Sequence, residues 1–133
     1  MAKPTKADAE LLLRVIAIMR SDEEYKKAGW WFYEEFDEKS YTAFKKKYPM
    51  GSEGSRNFRL VAGYWEVLAT LLNNGLLSED LVFDMFAMDY DWKKAEPIVH
   101  GIRNEHKMPR LYENFEALAK KYSEWEKKHP PKV

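Results

Sequence analysis

Glu66 is the carboxylate in this chain whose setting most calls for a partner. It shares one narrow polar strip with Arg59, Gly63 and Thr70 on a segment, Phe58 to Leu72, that is otherwise apolar round its circumference. A carboxylate half-buried there needs a cation or several hydrogen-bond donors. The expectation is a structural ion pair with Arg103, which follows Ile102 on a helix with its own apolar face, or with Arg59; a catalytic carboxylate is the lesser reading. Metal chemistry has thin support. Glu126 and His129 have the spacing of helical di-iron proteins, but such sites need two of these motifs and two further inward glutamates. Glu96 and His100 stand four apart with Pro97 between them and no evident third ligand. No metal or cofactor is expected.

Nucleophilic chemistry is poorly served too. Cysteine is absent, Ser21 and Ser78 read as helix caps, and Ser52 and Ser55 as loop residues. There is no G-x-S-x-G elbow, and "GSEG" lacks the lysine of a phosphate-binding loop. Lys45, Lys46 and Lys47, beside Phe44 and Tyr48, have the residue types for phosphate contact and base stacking. Those aromatics lie four apart, however, as a core stripe also requires, and nucleic-acid binding is not expected.

The run "KKAGWWFYEEF" is the most unusual stretch. At about 100° per residue, Tyr25, Gly29, Phe32 and Phe36 fall on one arc with Tyr33 at its flank, and Gly29 reads as permitting close approach. Trp30 and Trp31 fall on either side, among Lys26, Lys27, Glu34, Asp37 and Glu38. A single helix face cannot bury all of these side chains. Another element of the domain covers one tryptophan, or Trp30, Trp31 and Tyr33 form an interface or line a ligand pocket.

The elements that must position these groups are helical throughout. Thr5 with Asp8 is a capping-box spacing ahead of the stripe Leu12, Val15, Ile16 and Met19. Ser21 with Glu24 gives a second one for the aromatic helix. The pattern breaks near residues 39–42, and a short helix with Tyr41, Phe44 and Tyr48 ends at Pro49. Residues 49–55 read as a flexible loop and residues 56–73 as a buried central helix, stopped by a left-handed Gly75 with Leu76 folding back. Ser78 starts another helix and "DYDW" a further one, in which Pro97 marks a kink or a restart. Leu111, Phe115, Leu118, Tyr122 and Trp125 form the last amphipathic stripe, and residues 129–133 a frayed tail.

The 22 basic residues equal the 22 acidic ones, so no net field favours nucleic acid or anionic lipid. The longest early apolar run, about nine residues broken by Arg14, is far short of the roughly 20 needed to span a bilayer. A cytoplasmic, soluble chain is the expectation.

The order of "SDEEYKKA" after an apolar helix, then "YWEVLATLLNNGLLSEDLVFDMF", then Trp92, Pro97 and Arg103, then "LYENFEALAKKY", resembles a family of small bacterial helical proteins classified only as a domain of unknown function. The resemblance covers roughly residues 9 to 126 and implies an all-α fold without a reaction. Many members of that family look membrane-anchored through an N-terminal span, which this sequence does not show. The reading is an all-α, single-domain irregular bundle of about six or seven helices around residues 56–73. Its expected role is a non-catalytic interaction or scaffolding module, joining an unknown protein partner or self-associating. The alternative is a small-ligand-binding domain using the Trp30, Trp31 and Tyr33 aromatics with Glu66 or Arg103, and an enzyme comes third.

Overall fold

All but one of the helices begin where a side chain takes up amide hydrogens that the first turn leaves free. In the computed structural model, which describes residues 3–133, the helices are α1 Lys6–Ser21, α2 Glu23–Glu34, α3 Tyr41–Lys47, α4 Glu53–Asn73, α5 Glu79–Met85, α6 Met88–His106 and α7 Glu113–Lys128. The described residues contain no strand, and none of the helices is long and apolar enough to cross a membrane. Thr5 and Asp8 form the expected capping box of α1. The second box does not form. Asp22, one residue on, caps α2 through the amides of Glu24 and Tyr25, while Ser21 remains in α1 and its hydroxyl donates to the Ile18 carbonyl. A carboxylate at the positive end of a helix outcompetes the neighbouring hydroxyl.

Ser40 caps α3 and Ser52 caps α4, so α4 starts three residues before the sequence pattern places it. The glycines of the supposed loop divide their roles. Gly51 adopts the left-handed conformation (φ 88°) and makes the turn, whereas Gly54 is helical and buried. A β-carbon at Gly54 would lie 2.1 Å from the Tyr48 ring, and one at Gly101 would lie 2.1 Å from Cγ of Tyr41. The two tyrosines that bracket α3 are therefore seated on backbone, Tyr41 against α6 and Tyr48 against α4.

At the far end of α4 the Gly75 amide donates to Leu72 and the Leu76 amide to Leu71, a Schellman motif with Gly75 at φ 71°. Helix α6 runs through Pro97 without a restart. The tail after α7 is not helical, but His129 stacks on Trp125 at 4.1 Å and Lys132 pairs with Asp84 at 2.9 Å.

Helix α4 is the central element, packed chiefly against α2 and α7. Its first half places Phe58, Val61 and Ala62 in an aromatic sub-core with Trp31, Phe32, Phe36 and Phe44. Its second half places Leu68, Ala69 and Leu72 in a more aliphatic one with Leu12, Val82 and Leu118, beside Phe83 and Tyr122. Trp65 packs against both. It is stacked on Phe115 at 5.7 Å and set edge-on to Phe86 at 5.8 Å.

Candidate functional site

The carboxylate singled out from the sequence has a different partner from the one expected. Glu66 bonds to neither Arg103 nor Arg59. Its Oε1 accepts the Phe115 amide at 2.9 Å, and its Oε2 accepts the Asn114 side-chain amide at 2.9 Å and the Asn114 backbone amide at 3.4 Å. These groups open α7, whose N-cap residue Tyr112 is left-handed (φ 56°) and makes no side-chain cap. Glu66 thus caps α7 from α4, and several donors stand in for a cation. Arg59 is two turns away along the same helix, about 10 Å, too far to pair. Arg103 bonds to the Leu111 carbonyl and to Glu116 Oε1, each at 2.8 Å. Burial raises the Glu116 carboxyl, but the Arg103 hydrogen bond and charge outweigh it and hold the group below its ordinary value.

The three aromatics proposed for one surface are separated. Trp31 is only 5% exposed: it stacks on Phe36 at 5.2 Å and meets Tyr48 edge-on at 5.1 Å, so it belongs to the core. Phe36 reaches it because α2 ends at Glu34 and the amides of Glu35 and Phe36 both turn back to the Trp31 carbonyl. A helical wheel puts Phe36 with Phe32 in the core, as the structure does, but carried past that end it does not show that Phe36 also covers Trp31. The buried small residue of α2 is Ala28, and a β-carbon at Gly29 would meet nothing within 4 Å, so Gly29 permits no close approach. Trp30 is 60% exposed beside a shallow groove with Lys27 and Glu53. Tyr33 points elsewhere, its hydroxyl donating to Asp91 at 2.5 Å.

Asp91 was missed in the sequence. It is 4% exposed and also accepts the Trp65 indole N–H at 2.7 Å, joining α2, α4 and α6. Burial raises its carboxyl above the ordinary value despite the two hydrogen bonds and Lys94. Burial, with the Asp91 charge next, raises the Tyr33 hydroxyl and takes Tyr25 to about 12. A signal was available: Met88, Asp91, Trp92, Ala95, Ile98 and Val99 repeat at helical spacing, and Asp91 is the polar member of that stripe.

The structure gives Glu96 and His100 the third donor that their spacing lacks, since Glu116 lies with them inside 4.8 Å. Both Glu116 oxygens already face cations, Arg103 at 2.8 Å and Lys120 at 3.6 Å. That works against a metal at the same place. In the lysine run, Lys45 is paired with Glu105 and Lys47 with Glu38, and Phe44 is buried.

The best-formed concavity lies between α3, the first half of α4 and the end of α6, closed by residues 107–112. It measures about 390 Å³ and is lined mainly by Tyr41, Phe44, Tyr48, Phe58, Ile102 and Tyr112. Its polar side groups are Lys45, Arg59, Glu105 and His106. Glu105 takes the Tyr41 hydroxyl at 3.0 Å, pairs with Lys45 and lies 3.2 Å from His106 Nε2. The Lys45 hydrogen bond, with lesser help from Tyr41 and His106, holds the Glu105 carboxyl below its ordinary value. Sequence reading placed these aromatics in the core or on a lysine-rich surface, because only the folding of α3 across α6 makes a hollow between them.

No curated protein and no solved structure matches the chain. A family model does, over residues 4–122, most of the chain including every wall of the cavity. The chain belongs to the family described as a domain of unknown function, DUF4760.

Proposed function

We propose that the chain is a helical domain that binds a small, largely apolar molecule in the cavity between α3, α4 and α6. The observation that carries this reading is the cavity itself. At about 390 Å³ it falls within the usual range of ligand pockets, with aromatic walls and a few polar groups gathered at one side. Tyr41 and Tyr48 fix its α3 wall through their seats on Gly101 and Gly54, so the hollow is a built feature of the helix packing. Amide chemical shifts of the labelled protein, titrated with planar apolar fragments, provide the test. Shifts should cluster at Tyr41, Tyr48, Ile102, Met108 and Tyr112. Shifts confined to the Trp30 groove, or none, would remove the reading.

A second reading is an interaction module that self-associates, and Trp30 favours it. A tryptophan 60% exposed leaves a large apolar face uncovered. Light scattering after size exclusion, comparing wild type with Trp30→Ala, checks this. A monomer at every concentration removes the self-associating version.

A further inference from the structure

The charges round the cavity narrow what it would take. Of the cationic groups on its wall, Lys45 is neutralised by Glu105, which also engages Tyr41 and His106. Arg59 is different: it is exposed at the cavity and its guanidinium forms no ion pair and no hydrogen bond among the described residues. Its influence is felt by the Tyr112 hydroxyl, where burial raises the group, the Arg59 charge pulls it back and the Glu66 charge raises it again. The rim therefore carries, in Arg59, one cation without an ion-pair partner over an apolar floor of Phe44, Phe58, Ile102 and Leu111.

We infer that the ligand is an amphipathic monocarboxylate, with an aromatic or aliphatic body in the cavity and its carboxylate on the Arg59 guanidinium. This rests on the small-ligand reading above. A single free guanidinium matches a single carboxylate, which it can bind through two parallel hydrogen bonds. A phosphate dianion would keep a charge that a single guanidinium does not neutralise, and Lys45 is already paired. A cationic ligand would be repelled by Arg59, and a neutral one would leave the guanidinium unused.

The test uses matched sets on the intact chain: phenylbutyrate, naphthylacetate and decanoate, each with its corresponding alcohol and amine. Affinities come from calorimetry, and the site from amide shifts. The acids should bind about fivefold or more tightly than the alcohols, with the amines weakest. Arg59→Gln changes an exposed, unpaired side chain and should leave folding intact. It should bring the acids down to the alcohols without altering the alcohols, and raised salt should act in the same direction on wild type. Alcohols or amines binding as well as acids, or Arg59→Gln leaving the acids unchanged, would overturn the carboxylate assignment while keeping the small-ligand reading. Failure of every compound to shift the cavity residues would overturn both.

Discussion

Asp91 illustrates at the scale of one residue how burial sets chemistry. Its carboxyl is raised by burial, so between the ordinary aspartate value of 3.8 and the raised one the folded chain holds a proton that the unfolded chain has released. Stability from this group is therefore present at low pH and falls as pH rises through that window. Asp91→Asn abolishes the titration while keeping an oxygen for Tyr33 and Trp65. In urea unfolding at several pH values, the stability of wild type relative to Asp91→Asn should improve as pH falls from neutral toward the ordinary aspartate value of 3.8. A constant difference would contradict the assignment. Asp91→Ala instead leaves the Tyr33 hydroxyl and the Trp65 indole without their acceptor and should cost about 2–4 kcal/mol.

At the scale of the element, what the sequence discloses depends on how far apart the partners are. The Thr5–Asp8 box, the Ser78 cap and the Gly75 stop lie within a few residues of the turns they serve, and their spacing reveals them. The cap of α7 comes from Glu66, 48 and 49 residues before the amides it accepts, and no local pattern can show that. The same limit hid the cavity, whose walls come from three separate stretches, and the cover over Trp31, which comes from beyond the end of its own helix. Glu66→Gln puts an amide donor among amide donors, and thermal unfolding should register a loss of about 1–2 kcal/mol. Two glycines give opposite expectations. Gly29→Ala points into open space within a helix and should stabilise by about 0.5–1 kcal/mol. Gly101→Ala drives a methyl group into the root of the Tyr41 ring and should destabilise by about 1–3 kcal/mol. Because the clash needs both partners, Tyr41→Ala and Gly101→Ala together should cost less than their sum in a double-mutant cycle.

Across the whole molecule, the central helix joins two sub-cores of different character. The aromatic one holds α2 and α3, and the aliphatic one holds α1 and α5, while α4, α6 and α7 contribute to both. The all-helical class and the central place of α4 were legible because both follow from periodicity along one segment; the division into two sub-cores depends on which segments meet. Trp65 is where they join, through its stacking on Phe115, its edge contact with Phe86 and its bond to Asp91. Trp65→Ala should remove about 3–5 kcal/mol and, beyond that loss, weaken the coupling between the two halves. Hydrogen exchange reports on this directly, since segments that open together share one opening free energy. In wild type, the central amides of α2 and of α4 should exchange through the same global opening. In Trp65→Ala, the α1 and α5 amides should open at lower free energy than those of α2, because the aromatic side keeps the denser ring-on-ring contacts, among Phe32, Phe36, Phe44 and Phe58, whereas the other side keeps only those among Phe83, Tyr122 and Trp125. Equal loss of protection everywhere would mean that the two sub-cores unfold as one unit and that Trp65 contributes volume alone.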